Sequence, residues 1–212
     1  MKLLDLFCKA GGASMGYHQA GFEVVGVDIK RQKRYPFEFI QADALEILAD
    51  RDFLNQFDVI AASPPCQTHS ATKHLRNAQG KTTDKIDLIP ETRAALQEWN
   101  GIYVIENVPG APLINPTILC GSSFGLKVRR HRHFESNVQL TGLPCDHKAQ
   151  GKPVGIYGSM KDEIPGGGPY CEIYRASARS DGHRLDALGR SSRGYSTRLY
   201  STSRQAIIGG VK

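Results

Sequence analysis

Apolar residues along the chain fall into short runs separated by glycine, proline and polar turns. Lys2–Phe7 is a compact apolar strand signal, and Ala10-Gly11-Gly12-Ala13-Ser14 then leads into a helix-like stretch, Met15–Ala20. Gly21–Asp28 reads as a turn and a second strand that ends on an acid. Phe39–Asp43 is a third strand, leading into a helical pattern over Leu45–Leu54. Phe57–Ser63 has the continuous apolar character of a buried strand and is stopped by Pro64-Pro65. Pro90–Trp99 has helical spacing, and Ile102–Glu106 is a further strand. Strands alternating with helices predict an α/β fold with a mainly parallel sheet, whose ligands bind at the carboxyl ends of the strands.

Polar and reactive residues sit where that rule would use them. Asp5, Asp28, Asp43, Pro65-Cys66 and Glu106 each lie at or just past the end of an expected strand, which suggests one shared crevice. The glycine-rich loop between Asp5 and Gly12 lets backbone approach a ligand where a Cβ would clash. An acid about 20 residues later, here Asp28, suits the hydroxyls of a ribose. In Ser63-Pro64-Pro65-Cys66-Gln67 the prolines stiffen the loop and hold the thiol outside the sheet. Cys66 is therefore either a nucleophile or a buried inert thiol, and its polar neighbours Gln67, Thr68 and His69 argue against burial. Glu106 is a general acid or an ion-pair partner. Arg129-Arg130-His131-Arg132-His133 is a cationic cluster or a solvated basic loop.

Composition changes this picture in two places. The 212 residues, 40% hydrophobic and 23% charged, suit one soluble globular unit and exclude a fully disordered or fibrous chain. No apolar run approaches the roughly 20 residues of a membrane span. Five cysteines do not make a secreted disulfide framework, so the expected compartment is the cytoplasm. The net charge of +6 is unevenly placed. Residues 175–212 hold eight bases and two acids, which leaves nineteen of each in residues 1–174. The chain thus divides near residue 175 into a neutral body and a basic tail rich in Ser, Gly and Arg.

Taken together and in order, Asp5-Leu6-Phe7 with Gly11-Gly12, Pro64-Pro65-Cys66-Gln67, Glu106-Asn107-Val108 and Arg130-His131-Arg132 resemble the cytosine-5 DNA methyltransferase family, in its compact, phage-like form. The resemblance implies a Rossmann-like S-adenosylmethionine-dependent methyltransferase fold, double-stranded DNA as partner, and DNA methylation of the restriction–modification kind. It implies no membrane and no obligate protein partner. It assigns catalysis to Cys66, Glu106, Arg130 and Arg132. Cys66 would add to cytosine C6, Glu106 would hydrogen-bond or protonate N3, and the arginines would hold O2 and nearby phosphate. Cofactor contacts would come from Asp5, Phe7, Cys8, Ala10, Gly11, Gly12 and Pro65, with Asp28 on the ribose, Ile29 against the adenine and Asp43 on its amino group. Gln67, Asn107 and Val108 would face the substrate.

The chain departs from the family pattern at several points. Lys9 stands where the family usually has glycine, and its side chain either points outward or crowds the cofactor. Residues 1–135 are expected to form the catalytic core. Only about 40 residues, 136–175, remain for a variable, target-recognising region. Cys145-x-His147, with Cys171 or Cys120, falls short of standard zinc spacing, so these residues are read as structural or incidental and no metal is expected. Nothing in 176–212 resembles the family's closing segments, and this tail is expected to be disordered or aberrant. Codons exist for which a one-base shift turns Gly194–Tyr200 into Ala-Ile-Pro-Pro-Ala-Tyr and Asp181–Asp186 into Met-Gly-Ile-Asp-Trp, which points to a frameshifted end. The alternatives are a truncated, weakly active or inactive homologue and a related enzyme acting on tRNA.

Overall fold

The computed structural model describes residues 1–65 and 86–153. Five parallel strands form most of one sheet: β1 (Lys2–Leu6), β2 (Glu23–Asp28), β3 (Glu38–Gln41), β4 (Val59–Ala62) and β5 (Ile102–Asn107). They alternate with α1 (Gly12–Gln19), α2 (Ala44–Ala49), α3 (Arg51–Leu54) and α4 (Ile89–Trp99). An antiparallel hairpin, β6 (Thr117–Cys120) and β7 (His131–Ser136), completes the edge beyond β5, and a single helical turn, α5 (His147–Gln150), follows. The strand order is β3-β2-β1-β4-β5-β7-β6. This is the α/β, mainly parallel architecture that the apolar runs predict, Rossmann-like as the resemblance implies, and its order reverses between β1 and β4, where such sheets open a crevice.

Strand alternation assigns each side chain to a face. Leu3, Val24, Val59, Ala61 and Val104 pack with Tyr17 and Phe22 on the α1 side. Leu4, Leu6, Val25, Val27, Ile60, Ala62 and Ile105 pack against Leu48, Leu54 and Leu96 on the other. Strands buried on both faces read as continuous apolar runs, which is why β1, β2 and β4 were legible. The same alternation puts Asp5, Gly26, Asp28 and Glu106 on the α1 side, in step with Leu3, Val24 and Val104.

Three features differ from the pattern. The helix expected over Leu45–Leu54 is broken at Asp50, which takes extended geometry and accepts the Phe53 amide at 3.0 Å, capping α3 separately from α2. Helix α1 starts at Gly12 rather than Met15, because Gly11 at φ 81° turns the chain into it. The basic run was open to a reading as a solvated loop, yet His131–His133 lie in β7, pairing with β6 on one side and β5 on the other. Among the described residues, no helix is long and apolar enough to cross a membrane.

Candidate active site

The carboxyl ends of β1, β2, β4 and β5 converge on the α1 side. Asp5 is only 1% exposed. It accepts a short hydrogen bond from the Ser14 hydroxyl, which itself accepts one from the Tyr35 hydroxyl at 2.8 Å. Burial pushes the Asp5 carboxyl up to about 7; the Ser14 bond opposes this, nearby Glu106 adds to it and Lys9 opposes it. Tyr35 reaches this network because β2 carries glycine at 26: a Cβ there would lie 2.2 Å from the tyrosine ring. Burial, with Asp5 second, pushes the Tyr35 hydroxyl well above its ordinary range.

The loop after β1 is held in left-handed backbone at Phe7 (φ 60°), Lys9 (φ 50°) and Gly11 (φ 81°). Left-handed geometry at position 9 is the physical reason a glycine suits it, and Lys9 takes it at a steric cost. The Lys9 amide donates to Asp28 Oδ2 and the Lys30 amide to Asp28 Oδ1, both at 2.9 Å. Each carboxylate oxygen keeps a further lone pair. Ile29, next in the chain, is 62% exposed, an apolar surface that the core does not use. Asp43 half-buries at the end of β3 and caps α2 by accepting the Leu45 amide at 2.8 Å. Ala10 is exposed and Gly12 half-buried. Cys8 is buried, and burial first, then Asp5 and Asp28, pushes its thiol far above the ordinary range, which makes it an inert thiol rather than a nucleophile.

Glu106 sits on β5 with its carboxylate 2.5 Å from the Arg132 guanidinium on β7. Burial raises its proton affinity, while Arg132, Lys9 and a hydrogen bond from Ser63 oppose that rise. The Lys9 charge thus acts on Asp5 and Glu106 together, so its side chain bears on the site rather than being electrostatically silent. Asn107, fully buried, donates to the Pro64 carbonyl at 3.1 Å and accepts the Val108 amide at 2.9 Å. Its side chain therefore fixes the Pro64-Pro65 turn against β5. Pro65 and Val108 are half-buried beside it. Arg130 directly precedes β7, and its carbonyl accepts the Gly121 amide at 3.4 Å. Cys66 and Gln67 lie outside the described residues.

Asp5, Asp28, Glu106, Asn107 and Arg132 are thus brought to one rim of the sheet. Tyr35 has no part in the sequence reading, and Ser63 stands there within the proline motif without a role. Ser63 precedes the two prolines and was legible as a strand-end hydroxyl, whereas Tyr35 follows a basic run and reaches Ser14 only through the tertiary fold. Cys120, Cys145 and His147 meet at the end of the β6–β7 hairpin, joined by His131; Cys171 lies outside the described residues.

Comparison with known proteins bears on these motifs. Residues 1–117 match the family described as C-5 cytosine-specific DNA methylase. Type II methyltransferase M.HgiGI of Herpetosiphon aurantiacus is 30% identical over 122 residues, covering 53% of this chain and 94% of that protein. Type II methyltransferase M.FnuDI of Fusobacterium nucleatum is 36% identical over 83 residues, covering 36% of this chain and 24% of that protein. The chain likewise spans 38% of Type II methyltransferase M.HgiDI, so it covers less than half the length of two of these three relatives. Among solved structures, a DNMT2 variant from Spodoptera frugiperda matches at TM-score 0.47 and 18% identity, over 77% of this chain and 60% of that one.

Proposed function

Since the chain belongs to the C-5 cytosine-specific DNA methylase family, we propose that it methylates C5 of cytosine in double-stranded DNA, with S-adenosylmethionine as donor and Cys66 as nucleophile. The observation that carries this reading is the Glu106–Arg132 pair beside the proline turn that leads into Cys66, a turn held by Asn107.

Cytosine C5 is too weak a nucleophile to attack a methyl donor unaided. The Cys66 thiolate adds to ring C6, which gives C5 enamine character. Negative charge then develops toward N3, where Glu106 donates a hydrogen bond; burial favours its protonated form and suits it to that task. Arg132, already aligned on Glu106, binds the base O2, with Arg130 toward the adjoining phosphate. After C5 gains the methyl group, transfer of the C5 proton to solvent water restores the ring and expels Cys66 as thiolate. The base must leave the duplex to enter this rim, where Val108 and, as the resemblance implies, Gln67 would face it.

The residues present fit the donor in kind. Asp28 would take the ribose hydroxyls, the exposed Ile29 would cover the adenine, and Asp43 would accept from its amino group. The backbone of Phe7, Cys8, Ala10, Gly11 and Gly12, with buried Asp5 beneath it and Pro65 alongside, would line the remainder. Bound there, the donor would supply an electrophilic methyl carbon on sulfonium.

The test is transfer of labelled methyl to duplex DNA and, separately, to tRNA. Transfer to duplex DNA is expected, abolished by Cys66→Ala and lowered about 10²–10⁴-fold by Glu106→Gln. Transfer that survives Cys66→Ala would contradict the mechanism. Transfer to tRNA alone would reassign the substrate, and neither transfer nor donor binding would mark a chain that keeps the fold without the activity.

A further inference from the structure

The β6–β7 hairpin carries a second constellation that the cytosine chemistry does not use. Cys120 ends β6 and His131 begins β7, and the antiparallel register sets them directly opposite each other. Such a pair has Cβ atoms about 4.5–5.5 Å apart on one face of the sheet. Beyond β7 the chain turns back over this hairpin. The Thr117 hydroxyl donates to the Leu140 carbonyl at 3.2 Å, and the Ser123 hydroxyl lies within 3.0 Å of the Leu143 carbonyl and 3.1 Å of that of Pro144. That return brings Cys145 and His147 onto the same spot. Cys120 Sγ is 3.3 Å from His147 Nε2, Cys145 Sγ is 3.7 Å from His131 Nε2, and the two imidazole centroids are 5.1 Å apart. All four donor atoms lie within 4.8 Å of one another.

We propose that Cys120, His131, Cys145 and His147 form a tetrahedral Cys2His2 site for a structural zinc ion, which ties the segment after β7 to the β6–β7 hairpin. Tetrahedral zinc with Zn–S about 2.3 Å and Zn–N about 2.0–2.1 Å holds sulfur and nitrogen about 3.5 Å apart. The observed separations of 3.3 and 3.7 Å bracket that value. Two thiolates and two imidazoles are the donor set that favours zinc over magnesium or calcium. Four protein ligands leave no open position, so the site is structural and not catalytic. Two thiolates also neutralise the ion, so it adds no net charge beside Arg129 and Arg132.

Groups around the site hold its ligands. The Ser122 hydroxyl donates to Cys120 Sγ at 3.2 Å. The Arg129 guanidinium donates to the carbonyls of His147 at 3.0 Å and Gly151 at 3.1 Å, and to Gln150 Oε1 at 3.0 Å. Asp146 accepts the Ala149 amide at 2.8 Å and so caps the turn carrying His147. Outer partners of this kind orient metal ligands. A segment that exposes residues 141–146 has little apolar burial of its own, which is where a metal staple contributes most. The ion would also act on the hairpin from within, because His131 adjoins Arg132 and its carbonyl accepts the Arg132 guanidinium at 3.0 Å.

The test uses the full chain, purified without a histidine tag under reducing conditions, with metal content measured by mass spectrometry. It needs no substrate, so its outcome is independent of methyl transfer. Close to one zinc per chain is expected, surviving dialysis. After removal of zinc, added cobalt should give the intense visible bands of a tetrahedral thiolate complex. Cys145→Ser and His147→Gln, at the surface edge of the site, should each lose the zinc and the cobalt bands while circular dichroism shows the sheet intact. Chelator should lower the melting temperature of the parent protein and leave both variants unmoved. A folded parent chain without zinc and without cobalt bands would overturn the proposal. So would zinc retained at the parent level by both variants, or a Cys120–Cys145 disulfide in the parent protein.

Discussion

Replacing Asp5 by asparagine should change how stability depends on pH, in a direction set by the burial of this carboxyl. Asp5 is almost inaccessible, and burial raises it from an ordinary 3.8 to about 7. The folded state therefore holds a proton that the unfolded chain releases near pH 4. Stability from this group is greatest in acid, falls as pH climbs from about 4 to about 7, and is flat above. Each tenfold change in proton affinity is worth about 1.4 kcal/mol, so the fall between pH 5 and pH 8 is about 3 kcal/mol. Asparagine keeps an oxygen that can accept from Ser14 and does not ionise. Equilibrium urea unfolding of both proteins at half-unit steps between pH 5 and 8 isolates the effect, because all other groups cancel in the difference. The variant should gain about 3 kcal/mol on the parent between pH 5 and pH 8. Parallel curves, or a parent that gains on the variant as pH rises, would refute this account of the Asp5–Ser14–Tyr35 network.

Other substitutions probe neighbouring parts of the frame. Arg93 donates to Glu135 through Nε at 2.6 Å and Nη2 at 2.8 Å, with the acid side chain 4% exposed. Arg93→Met should cost about 3–5 kcal/mol in urea unfolding, since it strands a buried charge; a loss under about 1 kcal/mol would contradict that. Lys9→Gly should stabilise the fold by about 1 kcal/mol in thermal melts by relieving left-handed backbone. Because it removes a charge that holds Glu106 down, and Glu106 acts in its protonated form, it should also move the alkaline limb of the transfer–pH profile upward. Asn107→Ala leaves the Pro64 carbonyl without its donor and should cost about 1–3 kcal/mol. In steady-state assays it should lower kcat with little change in KM for the donor, and an unchanged kcat would show that the turn needs no such support.

Much of the frame was legible because β1, β2, β4 and β5 are buried and read as apolar runs between turns. Their carboxyl ends then picked out Asp5, Asp28 and Glu106 from the sequence. The hairpin edge was not legible. His131-Arg132-His133 looks like solvated loop, and what makes it a strand is distant: Phe134 is buried against the sheet, and Glu135 is neutralised by Arg93, 42 residues away. The zinc ligands were half visible. Cys145-x-His147 stood out, but Cys120 and His131 are 11 residues apart in sequence and become neighbours only once antiparallel pairing sets them opposite. Tyr35 was hidden for a related reason, since its place depends on the missing side chain at Gly26 in another element. Asp50 is the local case: a side-chain cap outcompeted helix continuation.

The proposed attack of Cys66 on cytosine can be trapped. In a duplex carrying 5-fluorocytosine at the target position, the C5 proton whose loss releases the thiol is replaced by fluorine, so the covalent adduct persists after methyl transfer. Intact-mass analysis with S-adenosylmethionine present should show one oligonucleotide joined to the protein, with peptide mapping placing it on Cys66 and Cys66→Ala giving none. An adduct on another cysteine, or methyl transfer to ordinary duplex with no trapped species, would contradict the account.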